Sequence, residues 1–187
     1  MDNLEFLRDY FDLYRKSIFD ESIYQQLIDM RNILVDCHKN GNRTIFVGNG
    51  GCVGISSHAA VDFTKQGGIT AINFNEPGLI TCFANDYGYE KWVAKALEFY
   101  AHPGDVVVLM SVSGKSANLV NGAEYARSAG IKVITFTGHK ADNPLRSHGD
   151  LNFRVDSMAY NIVECTFQVW LLAVCDLIIG KAEYPVS

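Results

Sequence analysis

Three serines lie within six residues in Ser111-Val-Ser-Gly-Lys-Ser116. They follow an apolar run, Asp105 to Met110, with the length of a buried strand. They precede a helix-patterned stretch, Asn118 to Ala129. A strand that feeds a small, hydroxyl-rich loop and then opens a helix is built to hold an anion. The first N–H groups of a helix have no internal acceptor, and the positive end of its dipole lies there. Serine hydroxyls add donors, and Gly114 lets the main chain approach a ligand. One serine here would be an ordinary N-cap. Ser111, Val112, Ser113 and Ser116 together describe a phosphate cradle. No G-x-x-x-x-G-K-[ST] is present, so this is not a nucleotide P-loop. A second loop, Gly48-Asn-Gly-Gly51-Cys52, follows the short apolar run Thr44 to Val47. Alone it reads as a plain turn. Beside the serine loop it completes one polar crevice.

The elements that must position these loops can be read from periodicity. The first forty residues are helix-patterned, with Leu4, Leu7, Tyr10 and Phe11 on one face and a break near Phe19-Asp20. Lys39 to Arg43 is a turn. Strands are expected at Thr44–Val47, Ile69–Asn73, Asp105–Met110, Ile131–Phe136 and Leu151–Val155. Helices are expected at 53–65, 79–100 (broken at 85–88), 118–129 and 161–179. Strands alternating with helices predict a three-layer αβα sandwich around a five-stranded parallel sheet. One domain spans 1–187, with an N-terminal helical segment to about residue 40 and an α/β core over 41–180. In such sheets ligands bind beyond the carboxyl ends of the strands, where both loops would sit.

Composition narrows the partners. The net charge is -5, and no basic cluster stands out, which argues against a nucleic-acid binder. The start, Met1-Asp-Asn-Leu-Glu-Phe, is charged and helix-like, unlike a secretory leader. The apolar stretch Val169 to Cys175 is interrupted by Asp176 and looks too short to span a membrane. Five cysteines without CxxC spacing fit reduced thiols, so a cytoplasmic location is the default expectation.

Gly48-Asn-Gly-Gly51, Asn85-Asp-Tyr-Gly-Tyr89 and Gly104-Asp-Val-Val107 leading into the serine loop, in that order, resemble the SIS (sugar isomerase) domain family. Within it they look most like the phosphoheptose isomerase branch. The resemblance covers roughly Leu4 to Ile179. It implies aldose–ketose isomerisation of a phosphorylated sugar such as sedoheptulose 7-phosphate, carried out by a homotetramer. Its sites would lie at subunit contacts, and its N-terminal helices would serve assembly. Carried over by position, Ser111, Ser113 and Ser116 would hold phosphate. Asn49, Gly50, Gly51, Asn85 and Asp86 would line the sugar. Cys52 stands where the family usually has serine, and a thiol is the weaker donor.

The pattern also breaks. The resembled enzymes carry a histidine and, four residues on, a glutamate. Here these are His58 and Asp62, whose carboxylate is one methylene shorter. On the last helix a glutamine and a histidine of the family become Val163 and Leu171, and a preceding aspartate becomes Tyr160. A zinc site would retain only His58 and Asp62, too few donors, so no metal or other cofactor is expected. Enediol chemistry needs a proton-transferring group. Asp62 and Glu164 are the candidates, Glu164 standing four residues from Gln168 in an otherwise apolar helix. Glu164 as a structural hydrogen-bonding group is the competing view. His102, His139 and His148 are expected in solvated loops, with Lys115 facing solvent. Two further readings stand beside the isomerase. One is a non-catalytic phosphosugar sensor or assembly protein. The other is a nucleotide-binding sheet, for which the full G-x-G-x-x-G is missing.

Overall fold

A computed structural model describes residues 2–185. Its five strands are all parallel, in the order β2-β1-β3-β4-β5. They are β1 (Thr44–Gly48), β2 (Ala71–Asn73), β3 (Val106–Ser111), β4 (Lys132–Thr137) and β5 (Leu151–Arg154). The helices are α1 (Asn3–Ile18), α2 (Tyr24–Lys39), α3 (Gly51–Lys65), α4 (Pro77–Tyr87), α5 (Trp92–Tyr100), α6 (Ala117–Ser128) and α7 (Tyr160–Ile179). The expected elements are all found, with ends shifted by one or two residues at most places. The long helix expected at 79–100 is two helices, interrupted at Gly88.

The central strands are apolar at nearly every position because both faces of the sheet are covered. Side chains alternate along each strand. Phe46, Val108, Met110, Ile134, Phe136 and Phe153 join the core beneath α2, α3 and α7. Ile45, Val47, Val107, Leu109 and Val133 join the core beneath α5 and α6. Parallel crossovers of this kind place every strand's carboxyl end at one edge. The chain reverses its direction across the sheet between β1 and β3, which pair through Thr44↔Val106 to Gly48↔Met110. That switch point opens a crevice above the two strand ends.

α7 is longer than its apolar stretch suggests. It has 20 residues and a mean hydropathy of 1.9 over its most apolar window, enough by length and composition to cross a membrane. Its Ile162, Val163, Phe167, Trp170, Leu171, Val174 and Cys175 are buried inside this chain. It contacts α1, α2 and α3, so its apolarity is that of a core helix. α1 buries none of its own residues, and Leu4, Phe6, Leu7 and Phe11 stay exposed.

A buried ion pair fastens the opposite edge of the sheet. Asp105, 1% exposed, accepts bonds from the N–H groups of Arg43 and His102, and the Arg43 guanidinium lies 3.2 Å from its Oδ2. Three charge-assisted bonds on one carboxylate offset its desolvation.

Candidate functional site

β3 delivers the serine loop to the carboxyl edge of the sheet. Ser116 is the N-cap of α6, yet its side chain does not cap the helix. Its Oγ lies 3.1 Å from Ser111 Oγ instead. The N–H groups of Ser116, Ala117 and Asn118 have no acceptor among the described residues. Three main-chain donors and two hydroxyls therefore converge where the positive end of the α6 dipole lies, the requirement for holding an anion. Gly114 makes the turn possible: it has φ +65°, and any Cβ there would overlap the buried Asn143 side chain. Ser113 Oγ accepts the Lys115 N–H at 3.2 Å, and Lys115 points to solvent.

The second loop is held by an amide pair. Asn49 and Asn118 exchange hydrogen bonds of 3.0 and 2.9 Å, and Tyr89 O–H donates to Asn49 Oδ1 at 3.1 Å. Asn118 is 2% exposed, so this pairing satisfies it completely enough to stay inside. It ties β1's loop to α6. Asn118 does not stand out in the sequence. The only signal was its place at the second position of the helix after the serine loop.

Between the loops lies a cavity of about 320 Å³, lined by Asn49, Gly50, Cys52, Ser111, Ser113, Ser116, Val112, Met110, Tyr160 and Glu164. Glu164 enters from α7 and rests on Gly51, the first residue of α3. A Cβ at Gly51 would lie 2.7 Å from Glu164 Oε1 and closer still to Oε2. Among the described residues Glu164 has no hydrogen-bond or ion-pair partner, and burial pushes its carboxyl above the ordinary range. Burial, followed by the adjacent Glu164 carboxylate, pushes the Cys52 thiol up to about 12. Cys52 is thus a neutral, weak donor on the cavity wall.

Other candidates stand elsewhere. Asp62 lies eleven residues along α3 from Gly51, about 16 Å of helical rise. It does not line the serine cavity of its own chain. Its Oδ2 instead lies 3.0 Å from His58 Nε2. The other ring nitrogen of His58 lies 3.2 Å from Gln168 Nε2. Asn85 and Asp86 sit exposed on the last turn of α4, bonded to each other, and do not line the cavity.

Of the zinc-ligand positions of the resembled enzymes, only His58 and Asp62 keep a donor here. Val163 and Leu171 are fully buried among apolar side chains, and both ring nitrogens of His58 already face polar partners. That donor set does not fit a tetrahedral zinc. Among the described residues no three His, Cys, Asp or Glu side chains converge.

His139 departs from the expectation of a solvated loop residue. It is half-buried, has φ +51°, and its Nε2 is buried without a partner. Its ring stands edge-on to Tyr160 at 5.2 Å, behind the wall of the cavity. The cause is β4, which carries His139 to the same sheet edge as the serine loop.

A family model described as "SIS domain" matches residues 10–138, more than half of the chain. A phosphoheptose isomerase of Sodalis glossinidius is 32% identical over 146 residues, covering 75% of each chain. The structure of a phosphoheptose isomerase from Francisella tularensis superposes with a TM-score of 0.89 at 23% identity, covering 97% of this chain and 100% of that one. A phosphoheptose isomerase from Neisseria gonorrhoeae superposes with a TM-score of 0.87 at 22% identity, covering 96% of this chain and 100% of that one. This chain, with its serine loop at the β1/β3 switch point, belongs to the SIS domain family.

Proposed function

We propose that this protein is a phosphosugar isomerase, interconverting the aldose and ketose forms of sedoheptulose 7-phosphate or a related sugar phosphate through an enediol. The observation that carries this reading is the unpartnered, desolvated Glu164 carboxylate on the wall of the serine cavity. A carboxylate whose pKa burial raises, set beside an anion cradle, is suited to proton transfer. In this scheme the serine loop and the open N–H groups of α6 hold the phosphate. Asn49, Gly50 and Cys52 face the sugar. Glu164 takes a proton from the carbon beside the carbonyl, leaving an enediolate; a proton passes from the adjoining hydroxyl to the former carbonyl oxygen, and Glu164 returns its proton to the former carbonyl carbon. Sedoheptulose 7-phosphate is favoured over other sugars by the likeness to relatives named phosphoheptose isomerase.

His58, Asp62, Asn85 and Asp86 enter this scheme only if a second copy brings its serine cavity to them. A homotetramer with sites at subunit contacts supplies that arrangement, and the exposed apolar side of α1 supports such an assembly.

The test is proton exchange. Incubation with sedoheptulose 7-phosphate in deuterated water should place deuterium on the carbon beside the carbonyl, as read by NMR. Binding without exchange would support the second reading, a phosphosugar sensor. The burial of Val163 and Leu171 in place of the family's polar pair is the observation that favours it.

A further inference from the structure

A second cavity, of about 500 Å³, opens away from the serine loop, between the end of α1 and strand β5. Three cations line it: Lys16, Arg146 and Arg154. In a chain of net charge -5 this concentration is local.

Arg146 is the informative one. It sits in the short helical turn Pro144–His148 and donates a single side-chain bond, from Nη1 to Ala141 O at 3.0 Å. Its Nε is buried without a partner, and no carboxylate pairs with it among the described residues. A half-buried guanidinium that lacks a counter-ion is costly unless an anion completes it. Arg154 is partly engaged, with Nη1 2.7 Å from Asp156 Oδ1 and 2.8 Å from His139 O. Lys16 pairs with Asp12 at 2.9 Å, but both side chains are largely in water and that pair is weak.

Two carboxylates share the cavity, Asp20 and Asp156. Asp20 already accepts the Ser22 N–H at 3.0 Å. Carboxylates beside guanidinia repel a bare anion but accept hydroxyls. The Ser22 hydroxyl and the Gln26 amide have no side-chain partner among the described residues and extend the polar wall. A ligand with one anionic group and several hydroxyls fits both halves of the lining.

We propose that this cavity is a second binding site, taking the phosphate of a small phosphorylated sugar on Arg146, Arg154 and Lys16 and its hydroxyls on Asp20 and Asp156. The site stands apart from whatever the serine cavity binds. Arg154 links the two, because the carbonyl it holds belongs to His139, whose ring stands against Tyr160 on the serine-cavity wall.

The experiment is calorimetric titration of the full chain with ribose 5-phosphate, in the wild type and in a Ser113→Ala, Ser116→Ala variant that weakens the serine cradle. The double variant should keep one saturable site per chain. Adding Arg146→Gln to it should weaken that site about tenfold, the effect of losing one charge-assisted contact. Lys16→Gln, whose side chain is 73% exposed and so not needed for folding, should weaken it by about threefold. Absence of saturable binding in the double variant, or binding indifferent to both substitutions, overturns the proposal. Inorganic phosphate should bind more weakly than ribose 5-phosphate, and equal affinity would overturn the role of the two aspartates. If the serine cavity does not bind phosphate, the wild type and the double variant titrate alike, and the Arg146 arm still decides.

Discussion

The Glu164 carboxylate rests on the Cα of Gly51, at the opening turn of α3, with no space between them for a methyl group. The contact joins the last helix of the chain to the loop after its first strand and sets how far the carboxylate reaches into the serine cavity.

Gly51→Ala tests that contact. The new methyl meets the far end of a flexible side chain, so the carboxylate moves and the fold survives. Alanine also suits a helix better than glycine. Displacement of about 1 Å costs on the order of a hundredfold in rate. Exchange into sedoheptulose 7-phosphate should fall by about that factor while the melting temperature holds or rises.

Glu164→Gln should abolish exchange and leave phosphosugar binding in place, measured by NMR and calorimetry on the same sample. It also has a stability signature. The folded carboxyl titrates above the ordinary range. As pH rises, the unfolded chain therefore loses this proton first. Between the two pKa values the folded state binds more protons, so stability falls with rising pH. Glutamine removes that loss. The variant's melting temperature, relative to wild type, should be higher at pH 7 than at pH 4.

Ser113→Ala with Ser116→Ala removes two hydroxyl donors from the proposed phosphate cradle. A hydrogen bond to a charged group contributes about 1.5–3 kcal/mol, so sugar-phosphate affinity at that site should drop by tenfold or more. Circular dichroism should show an intact fold, because neither hydroxyl caps α6. Unchanged affinity would remove the phosphate from this loop.

Asp62→Asn separates the two candidate bases. Asp62 pairs with His58 about 16 Å down α3 from the cavity of its own chain. With Glu164 as the base, exchange should stay within about threefold of wild type, since only a partly exposed pair is lost. Loss of exchange would move the base to Asp62, acting on the cavity of a neighbouring copy.

Thiol labelling reports the cavity wall directly. Cys52 is buried, and its pKa is pushed up to about 12, whereas Cys82 and Cys165 are exposed. Thiolate is the reactive species. Alkylation at pH 8 followed by mass spectrometry should modify Cys82 and Cys165 and spare Cys52.

The sequence by itself determined the strand and helix order, the parallel sheet and the two loops at its carboxyl edge. Those features rest on local periodicity and on serine and glycine at a strand–helix junction, which neighbouring residues dictate. The replacement of the family's polar pair by Val163 and Leu171 was also legible, and both lie in the core. Only the tertiary structure decided which carboxylate reaches the serine cavity. Asp62 and Glu164 are indistinguishable as acids on amphipathic helices. Their reach depends on how α3 and α7 lie side by side, which brings residue 164 to residue 51 and leaves residue 62 far down the helix. The same holds for Asn118, His139 and Arg146. Each gains its meaning from a partner, or the lack of one, supplied by a distant part of the chain or across the sheet edge, and no local pattern encodes that meeting.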